Sequence, residues 1–199
     1  MRRALPGGAL ALGAVLLAAL ALAGEAAAQS FSLPTADVAV EVQPDGSLVV
    51  DESITYSFAG DFSGAFREIP LRDGETIDEA AVFESGRAYR PGASAELGSS
   101  GEPDTFGATR TDKGLRIVWH YQASSEARTF RVHYRLRGLA TAYDDIVDVN
   151  LKVWGDEWKQ RLGRLTATLT APARVERAWG HPVGVRGDVT LAGERVELR

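Results

Sequence analysis

An alternating run of apolar and polar residues between positions 38 and 58 constrains the fold more than any other feature. Three valines alternate with other residues from Val38 to Val42, and the same pattern resumes from Leu48 to Phe58. This period of two is typical of a β-strand with one buried face. The tripeptide Pro-Asp-Gly at 44–46 suits a three-residue turn, because glycine adopts the left-handed conformation without strain. The stretch therefore predicts two strands joined as an antiparallel hairpin.

One acidic residue, Glu52, falls on the apolar face of the second predicted strand. A buried carboxylate is costly unless it is paired and hydrogen-bonded. The next arginine along the chain is Arg67, and arginine can hold a carboxylate through two parallel hydrogen bonds. We predict a structural ion pair between Glu52 and Arg67; the alternative is that Glu52 lies at the sheet edge and reaches water. No second acid or base is placed to support catalysis by Glu52.

The first 28 residues have the pattern of a secretory signal peptide. Arg2 and Arg3 form a basic start, residues 9–23 contain only Ala, Leu, Val and Gly, and the small residues at 26–28 suit cleavage. The apolar run is short for a membrane span. No cysteine follows it, which excludes a lipid-anchored form. We therefore predict that residues 1–28 are a signal peptide and that residues 29–199 are exported.

The remaining chain is acidic and lacks cysteine. Removing residues 1–28 takes away two arginines and one glutamate, so the formal net charge changes from −5 to about −6. A negative chain disfavours binding to nucleic acid and to anionic membrane surfaces. A domain of this size can bury enough surface to be stable without disulfides. The three histidines show no ligand spacing, so neither a metal nor a cofactor is predicted.

Short alternating segments separated by turn residues continue to the end of the chain. This pattern predicts an all-β fold, an antiparallel β-sandwich formed by residues 29–199 as a single domain. A Greek-key or immunoglobulin-like strand order is compatible with it but is not specified. The glycine- and serine-rich residues 85–114 are predicted to be a long loop with room for one short strand. Further strands are predicted at 76–84, 115–121, 130–136, 143–154, 165–169, 175–179, 189–191 and 196–198.

The strand predicted at 130–136 carries a basic stripe on its polar face. If residues 139–142 form a turn, the next strand pairs with it and brings acidic side chains opposite the basic ones. Cross-strand pairs of opposite charge contribute about 0.2–1 kcal/mol each and help to set the register. The stripe then needs no ligand. The predicted opposite pairs are Arg137 with Asp144 and His133 with Asp148.

Two groups of aromatic residues are candidate binding sites. Phe62 and Phe66 lie in a predicted glycine-bracketed loop, where they either cover an open end of the sheet or form a binding lip. Trp154 and Trp158 flank Asp156 and could stack on a sugar ring while the acid binds its hydroxyls. The alternative is that both tryptophans close the core where a strand leaves the sheet.

Several motifs occur together in this order along the chain. They are Asp45–Glu52 followed by Ile54-Thr55-Tyr56 and Phe58, Gly64–Pro70, Phe130–Tyr134, and Trp154–Trp158 before Thr166–Pro172. Together they resemble a family of predicted bacterial membrane proteins, the domain-of-unknown-function family 2207, over most of the chain from about Ala36. The resemblance implies an exported β-rich domain that precedes one or more membrane helices. It implies no catalytic residues.

The predicted function follows from the predicted signal peptide, the sandwich pattern and the resemblance to this family. We expect a non-enzymatic extracytoplasmic domain of a bacterial membrane protein, acting as a sensor, scaffold or partner-binding module at the cell envelope. Its membrane attachment is expected through a segment beyond residue 199; a secreted relative without an anchor is the alternative. The alternative function is a secreted carbohydrate-binding module for cell-wall glycan or exopolysaccharide. A hydrolase with paired carboxylates is supported by no spacing.

Overall fold

The computed structural model describes residues 29–155, 158–181 and 188–199, so the predicted signal peptide lies outside the described residues. Every regular element in the described part is a β-strand, which confirms the all-β prediction. The short strand predicted at 175–179 is not formed. The strands are β1 (Ser30–Val42), β2 (Leu48–Ala59), β3 (Asp61–Pro70), β4 (Thr76–Glu84), β5 (Arg87–Ala88), β6 (Arg90–Pro91), β7 (Thr105–Thr111), β8 (Gly114–Ser124), β9 (Ala127–Arg137), β10 (Ala140–Ala142), β11 (Val147–Val149), β12 (Leu162–Thr170), β13 (Val189–Ala192) and β14 (Arg195–Leu198).

Two large sheets pack face to face as a sandwich. One has eight strands in the order β13-β14-β12-β1-β2-β9-β4-β5, and the other has four in the order β3-β8-β7-β6. Strands β10 and β11 form a separate two-stranded hairpin. Most neighbours are antiparallel, but β1 runs parallel to β12 and β6 runs parallel to β7. The predicted sandwich is therefore confirmed, with mixed rather than purely antiparallel sheets.

The core lies between the inner faces of the two sheets and follows the alternation in the sequence. The inward side chains of β2 and β9 are almost fully buried, as are those of β8. Aromatic rings join the layers: Tyr121 lies 4.7 Å from Phe130, and Tyr56 packs edge-on against Trp119 at 6.4 Å. Burying one large apolar side chain contributes about 1.5–3 kcal/mol, so this layer is the main source of stability.

The β1–β2 hairpin forms with the predicted turn. Val40 pairs with Val50 and Val42 with Leu48, and the N–H of Gln43 donates to the carbonyl of Ser47 at 2.8 Å. Gly46 has a φ of 79°, a conformation that glycine adopts without the strain that a side chain would introduce. The turn sequence therefore sets the register of these two strands.

The same turn predicts a measurable pKa. The hydroxyl and the backbone N–H of Ser47, with a smaller effect from Arg137, lower the pKa of Asp45 from 3.8 to about 2. Because this pKa is lower in the folded state, ionised Asp45 stabilises the fold fully above pH 3.8, and the contribution is lost as the pH falls through about 2. In an NMR titration, Ser47→Ala should raise the pKa of Asp45 toward 3.8. A wild-type value already near 3.8 would contradict the prediction.

The glycine-bracketed loop predicted at residues 59–66 is wrong from Asp61 onward, because strand β3 begins there and continues to Pro70. Gly60, with a φ of 93°, reverses the chain directly after β2, and its carbonyl accepts a hydrogen bond from the N–H of Ser125. Strand β3 then pairs with β8, with Ala65 opposite Trp119. The partner strand lies about 50 residues further along the chain, so no local pattern indicates this pairing.

The predicted long loop at 85–114 contains three strands. Its main element is β7, which pairs with β8 through a tight turn. A Cβ atom at Gly107 would lie only 2.1 Å from the carbonyl oxygen of Ala93, so a glycine is needed where residues 93–94 cross β7. The residues before β7 therefore cover part of the outer face of the small sheet. The loop prediction is wrong where β5, β6 and β7 form.

The basic stripe of β9 is neutralised by different acids from those predicted. The strand lies between β2 and β4, while residues 140–149 form their own hairpin. The predicted pairs of Arg137 with Asp144 and of His133 with Asp148 are therefore wrong. The stripe is still a structural feature, because each of its residues contacts an acid of a neighbouring strand or turn. The observed contacts are Arg131 to Asp51 at 2.6 Å, His133 Nδ1 to Asp51 at 3.0 Å, Arg135 to Glu79 at 2.9 Å, and Arg137 to Asp45 at 3.0 Å and to Asp78 at 3.4 Å.

Candidate functional site

A buried ion pair joins the two sheets. Glu52 projects inward from β2 and Arg67 inward from β3, and they are 1% and 4% exposed. Arg67 Nε donates to Glu52 Oε2 at 2.8 Å, and its Nη2 donates to Oε1 at 3.1 Å. The structure thus brings together the two residues that the sequence paired, in the two-pronged geometry that arginine and carboxylate favour.

Tyr134 on β9 is a third member of this cluster that the sequence did not indicate. Its hydroxyl donates to Glu52 Oε1 at 2.7 Å. Burial raises the pKa of Tyr134 well above its usual range, and the charge of Glu52 raises it further, so the hydroxyl keeps its proton and remains a donor. Both oxygens of Glu52 are occupied by protein groups. The cluster is therefore suited to hold the sheets in register.

Two stacked tryptophans cover the arginine of this cluster. The rings of Trp154 and Trp158 are parallel, with centroids 4.7 Å apart, and the guanidinium of Arg67 lies 5.3 Å from the centroid of Trp158. Both indoles are partly buried against the core. The indole N–H of Trp158 is buried and has no hydrogen-bond partner among the described residues. Asp156, which the sequence placed with these tryptophans, lies outside the described residues.

The structure separates Phe62 and Phe66 from each other, although both lie on β3. Phe62 is partly buried, with its ring 4.7 Å from that of Phe58 and 6.1 Å from that of Phe31. Phe66 is exposed on the outer face of the small sheet, opposite Val118. Phe62 thus covers an end of the core as one prediction proposed, while Phe66 remains a single exposed ring. The two do not form one binding lip.

A small hairpin, β10–β11, carries the most concentrated group of exposed apolar side chains in the described structure. Tyr143, Ile146 and Val147 are 61%, 49% and 61% exposed. The N–H of Tyr143 donates to the carbonyl of Ile146 at 2.8 Å, which closes the turn around Asp144 and Asp145. We call residues 142–148 the hairpin tip. The sequence interpretation missed it because residues 139–142 were assigned to a turn and residues 143–154 to one long strand. The available signal was the pair of apolar residues that flank Asp144 and Asp145.

The base of this hairpin is held firmly by the sandwich. Leu139 is buried in the core and Val149 packs against it. A Cβ atom at Gly46 would lie 3.3 Å from the Cβ of Ala140, so the β1–β2 turn lies directly against the start of β10. The guanidinium of Arg72 donates to the carbonyl of Asn150 at 2.8 Å. The tip therefore projects from an anchored base.

Two negative observations apply to the described residues. They contain no group of three or more His, Cys, Asp or Glu residues arranged to hold a metal ion. They also contain no helix that is long and apolar enough to cross a membrane.

Comparison with known structures gives weak similarity to peptidases. Yeast LTA4 hydrolase in complex with bestatin is 10% identical, with a TM-score of 0.43, and the match covers 84% of this chain and 26% of that one. An M1 zinc metallopeptidase from Deinococcus radiodurans is 14% identical, with a TM-score of 0.41, and the match covers 84% and 38% of the two chains. The chain therefore spans well under half of these proteins, and the likeness is too low to transfer an activity.

Comparison with protein families gives a clear result. No curated protein matches the chain. The family model described as the N-terminal domain of a predicted membrane protein, DUF2207, matches residues 32–198, nearly all of the sandwich. This range includes the ion pair, the stacked tryptophans and the hairpin tip. The chain therefore belongs to the DUF2207 family of predicted membrane proteins and corresponds to their N-terminal domain.

Proposed function

We propose that this domain is a non-enzymatic partner-binding module of a membrane protein, positioned at the extracytoplasmic face of the bacterial cell membrane. The observation that carries the proposal is the hairpin tip, which exposes three large apolar side chains from an anchored base. Contiguous exposed apolar groups on a soluble surface are typical of interaction sites. An anchored base reduces the conformational entropy that a partner must remove on binding.

The interior of the sandwich supports a binding role over a catalytic one. Its charged groups, Glu52 and Arg67, are paired with each other and with Tyr134. A catalytic acid or base needs access to a substrate proton, and these groups are covered by the core and by Trp158. The chemistry of the buried cluster is therefore structural, and the surface is left as the functional part.

The carbohydrate-binding alternative depends on the stacked tryptophans. A sugar ring stacks on a free indole face, but Trp158 contacts Trp154 on its ring and lies under the guanidinium of Arg67. Both indoles are also partly buried against the core. This arrangement favours a structural role in which the two tryptophans cover the edge of the core. Glycan binding is therefore the second candidate function.

Photo-crosslinking in the cell envelope tests the partner-binding proposal. A photoreactive amino acid at Tyr143 of the full-length protein should give a discrete adduct with another protein. The matched control is Lys113, in the exposed β7–β8 turn, which has no apolar neighbours of this kind. We expect no adduct from position 113. Equal adduct patterns from the two positions, or none from Tyr143, would overturn the proposal.

The absence of cysteine from this chain allows a direct test of its location. An Asp112→Cys substitution places one exposed thiol in the β7–β8 turn. A membrane-impermeant maleimide should label this thiol in intact spheroplasts as fully as in lysed ones. Labelling only after lysis would place the domain on the cytoplasmic side and would contradict the proposed location.

A further inference from the structure

We infer that the hairpin tip inserts into a cleft of a protein partner, and that this cleft has apolar walls and a floor of arginine or lysine side chains. The inference rests on the proposed function and specifies the chemistry of the partner. Three features of the tip lead to it: its two apolar faces, its acidic apex, and the absence of partners for its carboxylates within the described structure.

The tip is apolar on both faces. Ala142 pairs with Val147, and in a strand these two side chains share one face. Tyr143 and Ile146 are the next pair toward the turn, and the alternation of a β-ribbon assigns them to the opposite face. A flat surface could contact only one of these faces, so the other would stay exposed. A cleft contacts both faces at once, as expected for a ribbon that enters between two walls.

The apex of the tip is acidic. Asp144 and Asp145 form the turn, and Asp148 lies on the same face as Tyr143 and Ile146. None of these three carboxylates has an ion pair or a side-chain hydrogen bond with the residues that the structure describes. On insertion, the two apex carboxylates would enter the cleft first. Burying an unpaired carboxylate is costly, so the floor of the cleft must supply cations.

The same apex disfavours the other classes of partner. A lipid bilayer would receive the carboxylates before the apolar side chains, and anionic headgroups would repel a chain with a net charge of −5. A second copy of this domain does not offer a suitable floor on β9, because the basic side chains of that strand are already paired with acids. A neutral glycan supplies no cations. A protein cleft that is both apolar and basic satisfies all three features.

The experiment uses the full-length protein in its own membrane, with the photoreactive amino acid at Val147. We compare four backgrounds: wild type, Asp144→Asn with Asp145→Asn, Asp144→Lys with Asp145→Lys, and Tyr143→Ser. The matched control is Asp112→Lys, which changes the charge of another exposed turn, the one between β7 and β8. Because like charges across an interface cost several kcal/mol, the lysine pair should lower the adduct yield at least about tenfold. The serine variant should also lower it, and the control should not.

The possible outcomes separate the inference from the proposed function. An adduct that is lost with Tyr143→Ser but is unchanged by the lysine pair would overturn the basic floor and leave the partner-binding function intact. An adduct whose added mass is that of a lipid would overturn the protein cleft. No adduct from Val147 or from Tyr143 would overturn the proposed function itself. Mass spectrometry of the linked peptide should find arginine or lysine near the crosslink, and a partner peptide without them would contradict the inference.

Discussion

An Arg67→Met variant is expected to lower the free energy of unfolding by about 3–5 kcal/mol, because it leaves a buried carboxylate without its counter-charge. Methionine keeps most of the volume of the arginine stem, so the effect reports the loss of the guanidinium charge and its hydrogen bonds rather than a loss of packing. Glu52 would retain only the hydroxyl of Tyr134 as a donor within this cluster. For a domain of this size the midpoint of thermal unfolding should fall by roughly 6–20 °C. Urea unfolding monitored by circular dichroism measures the free energy directly.

The matched control is Arg87→Met, which removes an ion pair of similar length at the surface. Arg87 lies 2.9 Å from Asp104, but its side chain is largely exposed. Pairs of this kind contribute at most about 1 kcal/mol, so this variant should be close to wild type. A double variant, Arg67→Met with Glu52→Leu, should recover stability relative to Arg67→Met alone, because it removes both buried charges. Equal costs for Arg67→Met and Arg87→Met would show that the buried pair has no special role.

Trp158→Ala is the second change with a large expected effect. It should destabilise the domain by about 3 kcal/mol, the lower end of the range for buried tryptophans, since this indole is only partly buried. The variant loses the stack with Trp154 and the cover over the Arg67 guanidinium. Thermal unfolding measures this loss of stability. In a separate experiment on the wild type, cell-wall oligosaccharides should change neither the midpoint of thermal unfolding nor the tryptophan fluorescence.

Trp179→Ala is the matched control for this substitution. Trp179 is 69% exposed. Replacing an exposed residue that makes no special contacts changes the free energy of unfolding by no more than about 0.5 kcal/mol. The same chemical change should therefore have little effect there. If Trp158→Ala instead kept the wild-type stability and abolished binding of an oligosaccharide, the carbohydrate-binding alternative would replace the present proposal.

Local sequence patterns predicted several of the strands. The hairpin around Gly46 and the strand at Thr76–Glu84 occur where the alternation placed them. Burial of Glu52 and its pairing with Arg67 also followed from local facts, because a carboxylate on an apolar face needs a cation and few arginines are available nearby. These predictions worked because each depends on side-chain chemistry that is visible within a short stretch.

The pairing of distant strands was much less predictable. Strand β9 was expected to pair with the residues that follow it, yet it lies between β2 and β4. Alternation tells which face of a strand is buried but carries no information about its neighbour. A hairpin with the next segment is the default, because it closes the shortest loop. In this chain, larger burial between distant strands outweighs that entropic advantage.

The sequence by itself determined the all-β class, the faces of the strands, the hairpin turn and the need for a partner for Glu52. Only the tertiary structure decided that Tyr134 joins the ion pair, that Trp158 covers it, and that residues 140–149 separate as a projecting hairpin. The physical reason is the distance along the chain over which each effect acts. Propensity, alternation and turn chemistry act over a few residues, whereas the packing of two sheets selects among many pairings that satisfy the same local patterns.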